Sequence, residues 1–174
     1  MYNQVLQGKE EAFGPKHTLI LDTVNNLGNL YTDQGKLAEA EAMYNRVLQG
    51  KEEVYGPKYT STLDTVNNLG NLYTNQGRLT EAEAMYNRML QGKEEILGLK
   101  HILTLDTVNS LGNVYKNQHR LAEAEAMYNR VLQGKKEALG PKHISTLDTV
   151  NNLGNVYKNQ GKLAEAEAMY SQVL

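Results

Sequence analysis

The chain has 174 residues, and 18 Lys and Arg against 20 Asp and Glu leave a formal net charge of -2, so no basic surplus exists to neutralise phosphates and nucleic acid is not expected as a main partner. Cysteine is absent, which removes disulfides, thiolate metal sites and thiol catalysis. No stretch reaches the roughly 18 apolar residues of a membrane span, and Met1 is followed by Tyr-Asn-Gln without the basic and apolar regions of a secretory signal; a cytoplasmic location away from membranes is expected.

Eleven tyrosines stand against one phenylalanine and no tryptophan, as if one position had been copied. Residues 1–20 read as part of a leading helix and a loop, Met1–Leu6 having the phase of Met43–Leu48. From there the segment Leu-Asp-Thr-Val-Asn-(Asn/Ser)-Leu-Gly-Asn-(Leu/Val)-Tyr begins at Leu21, Leu63, Leu105 and Leu147, 42 residues apart. Residues 21–62 and 63–104 agree at 32 of 42 positions. The units are therefore 21–62, 63–104, 105–146 and a partial 147–174, within one repeat domain spanning 1–174.

Each unit reads as two helices. Leu21, Val24, Leu27, Gly28 and Tyr31 recur at spacings of three and four, one face of a 3.6-residue helix. Ser61 or Thr62 is the expected cap ahead of the second copy, with Asp64 in the first turn. Gln34-Gly35 closes the helix, because glycine takes the left-handed conformation without steric cost. A second helix follows on Leu37, Ala40, Tyr44, Val47, Leu48, Lys51 and Val54, with Glu39 and Glu41 expected in its first turn, and Gly56-Pro57 stops it. An isolated hairpin of this kind leaves its apolar stripes in water, whereas stacked neighbours bury them. The expected class is all-α, a helical-repeat solenoid.

These residues resemble the tetratricopeptide repeat. Leu27-Gly28-x2-Tyr31 and Ala40-x3-Tyr44 match its pattern, as do Leu69-Gly70, Tyr73, Ala82 and Tyr86 in the next copy. Val24, Val66, Val108 and Val150 stand where the motif has Trp. Val47, Met89, Val131 and Val173 take the second Ala position, and Glu52, Glu94 and Lys136 the terminal Pro position. The 42-residue length is similar to the repeat of kinesin light chains and to the self-similar arrays of fungal and bacterial NLR-type proteins. The resemblance implies a right-handed superhelix acting as a non-catalytic scaffold that takes an extended peptide or partner helix in a concave groove.

The resemblance places that groove on Asp22, Asn25, Asn29, Thr32 and Asp33; on Asp64, Asn67, Asn71, Thr74 and Asn75; on Asp106, Asn109, Asn113, Lys116 and Asn117; and on Asp148, Asn151, Asn155, Lys158 and Asn159. Spacing alone puts 22, 25, 29 and 32–33 on one helical face. Asparagine is a poor helix former, yet its amide both donates and accepts, which suits a peptide backbone. The competing reading is that these amides bond one another, or water, between adjacent helices. Asn25, Asn67, Asn109 and Asn151 stand where other family members grip a C-terminal carboxylate with Lys or Arg, which argues against that activity. Lys116 and Lys158 make the later groove more basic and Asp33 the early end more acidic, so a preference for acidic residues toward the C-terminal half is expected.

Met169–Leu174 has the same phase as Met1–Leu6, so the second helices at both ends read as truncated. Tyr2, Val5, Leu6, Tyr170, Val173 and Leu174 are then candidates for head-to-tail self-association, a heterologous contact; the alternative is a structural or self-assembling fragment of a longer array, natural or engineered. His17, His101 and His143 share one loop phase, with Tyr59 at the one remaining position of that phase, and form no convergent metal site. No cofactor, metal or catalytic acid–base pair is expected. His119 replaces Gly35, Gly77 and Gly161, and Leu99 replaces Pro15, Pro57 and Pro141. If position 119 is left-handed, His there is strained by about 1 kcal/mol.

Overall fold

A computed structural model describes residues 13–173. Every regular element among them is helical: α1 (Thr18–Asp33), α2 (Leu37–Tyr55), α3 (Thr60–Asn75), α4 (Leu79–Leu97), α5 (Ile102–Asn117), α6 (Leu121–Leu139), α7 (Ile144–Asn159) and α8 (Leu163–Tyr170). The 16-residue and 19-residue helices alternate from α1 to α7. This is the helix-turn-helix pattern of a helical-repeat solenoid. Tyr2, Val5, Leu6 and Leu174 lie outside the described residues.

Contacts divide the chain into two compact units within α4, one up to Met85 and one from Tyr86. In the first, α1 packs on α2 and α2 on α3. Ile20, Leu21, Val24 and Val47 form its buried cluster, with Met43 half-buried against it. In the second, α5 packs on α6, α6 on α7 and α7 on α8. Its cluster is Ala124, Tyr128, Leu132, Val150, Leu153 and Val156. These are the stripe positions of the sequence periodicity.

The helix starts differ from the expectation. α3 begins at Thr60 behind Tyr59, so Asp64 lies beyond the first turn. Thr62 is buried and its hydroxyl donates to the Gly56 carbonyl at 3.0 Å. In three copies a histidine is the N-cap: Nδ1 of His17 accepts from the Leu19 amide at 3.3 Å, that of His101 from Leu103 at 3.2 Å and that of His143 from Ser145 at 3.2 Å. Tyr59 makes no such bond. The buried threonine is held inside the junction, which leaves the position three residues earlier to cap the helix, and there histidine satisfies a free amide.

The junctions between helices repeat as well. Lys51 is buried, donating to the Ser61 carbonyl at 3.2 Å and lying 3.9 Å from Asp22; Lys135 donates to the Ser145 hydroxyl at 2.7 Å and pairs with Asp106 at 3.0 Å. Asp22 and Asp106 therefore serve the second helix and the following junction. Glu41 lies beyond the first turn of α2 and pairs with Arg78 at 2.6 Å; Glu125 pairs with Lys162 at 3.1 Å. The guanidinium of Arg78 sits over Tyr73 and that of Arg120 over Tyr115, both 4.3 Å from the ring centroid.

His119 has φ of 60°, in the region where Gly35, Gly77 and Gly161 have 72°, 72° and 77°. Position 119 is left-handed as expected. A second defect was not legible. Thr104 is fully buried and its hydroxyl has no partner, whereas Thr146, at the same phase, donates to Gly140 at 2.9 Å. Ile20 fills this phase in the first copy and is equally buried, so the site accepts an apolar side chain.

Two outcomes follow from thermal and urea unfolding. His119→Gly stabilises the protein by about 1 kcal/mol, because glycine carries no Cβ penalty at positive φ; an unchanged or lowered melting temperature contradicts strain at this turn. Thr104→Val also stabilises, by about 1 kcal/mol, because an unsatisfied buried hydroxyl is replaced by a methyl of the same shape. Thr146→Val is the control: it loses a made bond and leaves the Gly140 carbonyl with only the long bond from the His143 amide at 3.4 Å, so it destabilises.

Candidate functional site

The first-helix face is built on a close approach between helices. A Cβ added at Gly28 would lie 2.7 Å from Cε1 of Tyr44, one at Gly112 2.9 Å from Cε1 of Tyr128 and one at Gly154 2.7 Å from Cε1 of Tyr170. Only hydrogen at these positions lets the ring lie flat on the first helix. The phenol then reaches the residue after the glycine: Tyr44 donates to Oδ1 of Asn29 at 2.7 Å, Tyr128 to Asn113 at 2.7 Å and Tyr170 to Asn155 at 2.9 Å. One column of the asparagine ladder thus accepts a bond from the second helix of its own repeat.

The other column behaves differently. Asn25 accepts from Nδ2 of Asn68 at 3.2 Å, an amide–amide bond between successive copies. The side-chain amides of Asn67, Asn109 and Asn151 make no hydrogen bond to any described residue, and these residues are half-buried or exposed. Lys116 and Lys158 lie in the last turns of α5 and α7, where the helix dipole favours a cation.

In the first unit these residues line a cleft of about 200 Å³ between α1 and α3. Asn29, Thr32 and Asp33 come from α1, Asn71, Leu72 and Asn75 from α3, with Asn68 and Tyr44 completing it. The expected groove positions Asn29 and Asn71 are therefore brought together, with Thr32, Asp33 and Asn75. Asn25 and Asn67 do not line this cleft. Asn68 and Tyr44 escaped the sequence reading: helical phase identifies a shared face, but not which side chain of a neighbouring helix or repeat reaches it.

Burial pushes the Tyr44 phenol above its usual range; its bond with Thr32 works the other way, and the Asp33 carboxylate adds to the rise. Tyr128 is pushed up further, by burial. Among the described residues no group of His, Asp and Glu is arranged to hold a metal ion, and no helix is long and apolar enough to cross a membrane.

At the other candidate surface, Tyr170 is half-buried and locked on Gly154 and Asn155 like its counterparts. Val173 is 40% exposed. With Leu147, Pro141, Lys136, Lys142 and Gln172 it lines a cleft of about 480 Å³ in the second unit.

The tetratricopeptide repeat family profile matches residues 1–53, 19–95, 61–137 and 102–174. No curated protein matches. Among solved structures, the chain is similar to a Podosopora anserina protein described as a kinesin light chain with nearly identical TPR-like repeats. The identity is 21%, with 99% of this chain and 82% of that one covered and a TM-score of 0.87. It is also similar to BtubC (BKLC) from P. vanneervenii, at 23% identity over 89% of this chain and 62% of that one, with a TM-score of 0.81. At these identities the structural likeness speaks to fold alone.

The tyrosine lock has a pH signature. With phenol pKa values raised in the folded state, stability is fully present below the unfolded value of about 10 and falls as pH rises above it, because the unfolded chain releases those protons first. The urea midpoint should decline above that pH, and more shallowly in Tyr128→Phe. An equal decline in both proteins contradicts the assignment to Tyr128.

Proposed function

The chain belongs to the tetratricopeptide repeat family, and on that premise we propose that it is a non-catalytic protein-interaction scaffold whose first-helix face holds an extended peptide or a partner helix. Tetratricopeptide repeats generally mediate protein–protein interaction. The observation that carries the reading is the amide-rich cleft between α1 and α3. Asn67, Asn109 and Asn151 beside the tyrosine-bound column support it: their side-chain amides bond no described residue, and an amide can meet both the N–H and the C=O of a peptide backbone. Such a surface holds backbone without fixing sequence. Acidic ligand residues suit Lys116 and Lys158 in the second unit. A cytoplasmic setting, with protein or peptide partners and without nucleic acid or membrane, belongs to the same proposal.

A second reading has one observation in its favour. The cleft beside Val173 and Leu147 offers apolar surface, and residues 7–13 of another copy repeat residues 49–55 at five of seven positions, a segment of second-helix sequence. Head-to-tail association through Tyr2, Val5, Leu6, Tyr170, Val173 and Leu174 is the corresponding proposal. Light scattering behind size exclusion should show mass rising with concentration; a constant mass near 19.5 kDa removes this reading.

The groove is tested by selecting binders from a randomised library of end-blocked heptapeptides. Combined Asn67→Ala and Asn75→Ala, one beside the cleft and one lining it, should weaken the selected peptides tenfold or more, about 1.4 kcal/mol or above, with circular dichroism and melting temperature unchanged. Undiminished binding contradicts the groove.

A further inference from the structure

The cleft between α1 and α3 has an electrostatic character that the other copies do not share. Several of its donors are spent internally. Nδ2 of Asn68 goes to Asn25 at 3.2 Å, the Thr32 hydroxyl donates to the Gly28 carbonyl at 3.0 Å, and the Tyr44 phenol goes to Asn29 at 2.7 Å. The lining keeps acceptors in Oδ1 of Asn68 and the lone pairs of Thr32, beside the amides of Asn29 and Asn75, and its charged group is the carboxylate of Asp33. No cationic side chain lines it.

Asp33 is poorly placed for the fold itself. It is the last residue of α1, where the helix dipole is negative and an acid is unfavourable by about 0.3–1 kcal/mol. Its carboxylate makes no ion pair or hydrogen bond among the described residues. Lys36 lies over the Tyr31 ring at 5.7 Å. The other copies carry Asn75, Asn117 and Asn159 at this phase, so the carboxylate was not imposed by repetition. Asn75 ends α3 and lines the same cleft, bringing a second helix C-terminus to it. Burial raises the Tyr44 phenol, and the Asp33 carboxylate adds to the rise.

We propose that this cleft is a cation subsite of the peptide groove, taking the guanidinium or ammonium group of an Arg or Lys side chain on the bound peptide. The inference rests on the groove reading above. Its volume, about 200 Å³, is below the roughly 300–1,000 Å³ of sites for whole small molecules and suits a single side chain. Leu72 offers apolar surface to the methylenes while the charged head meets the acceptors. The second unit carries Lys116 and Lys158 at the Thr32 phase and no acid at the Asp33 phase, so the subsite belongs to the first unit.

The full chain, labelled with nitrogen-15, is titrated with end-blocked pentapeptides Ala-Ala-Xaa-Ala-Ala in which Xaa is Arg, Gln or Glu. The side-chain amide signals of Asn29, Asn68 and Asn75 are followed. The Arg peptide should move these signals at concentrations about threefold to tenfold lower than the Gln peptide, the scale of one partly exposed ion pair with its hydrogen bonds, and the Glu peptide should be weakest. Asp33→Asn, which places here the residue native to the other copies, should abolish the advantage of the Arg peptide over the Gln peptide. Equal response to Arg and Gln, or an Arg advantage that survives Asp33→Asn, overturns the cation subsite and leaves the groove standing. No response to any peptide removes both. Agmatine alone matching the Arg peptide overturns the peptide as the source of the cation.

Discussion

The contact on which each repeat depends is a tyrosine ring laid against a glycine. Gly28 with Tyr44, Gly112 with Tyr128 and Gly154 with Tyr170 leave no room for a Cβ between the two helices. The ring supplies apolar burial where the helices approach, and its hydroxyl must still find a partner because burying it unpaired is costly. Asn29, Asn113 and Asn155 provide that partner from the adjacent position. Glycine, tyrosine and asparagine act as one lock that sets how a first helix sits on its second helix.

That lock sorts the polar face. Asparagines after the glycine are held by the fold, so their preference against helix is offset by a bond worth about 0.5–1.5 kcal/mol. Asn67, Asn109 and Asn151 receive no such return within the described residues. Residues that weaken a helix and bond nothing in the fold are where a ligand can act without competing with structure. The same distinction separates Asp22 and Asp106, which pair with buried lysines, from Asp33, which pairs with nothing described.

Much of the fold was legible because its signals are local and copied. The Leu-Gly-x2-Tyr phase, the Gly35 turn and the Gly56-Pro57 stop place the boundaries of α1 and α2 within a residue or two, and the left-handed turn at His119 follows from its glycine counterparts. The histidine caps were not legible. Ser61 and Thr62 are stronger capping residues by type, and only the three-dimensional placement of Thr62 inside the junction moves the helix start forward to the His17 phase. Nor could the sequence distinguish the two asparagine columns, because helical phase says which face a residue occupies and not which neighbour arrives there. Asn68 and the unpaired Thr104 hydroxyl belong to the same class: each depends on a contact made across a junction.

The central claim is that the column after the glycine is structural, whereas Asn67, Asn109 and Asn151 in the column before it are free for a partner. A double-mutant cycle on Tyr128→Phe and Asn113→Ala, measured by urea unfolding, tests it most directly. A structural lock predicts a coupling energy of about 1 kcal/mol between the two sites, with Asn109→Ala uncoupled from Tyr128→Phe. Additive effects of Tyr128→Phe and Asn113→Ala would contradict the lock and return both columns to the groove.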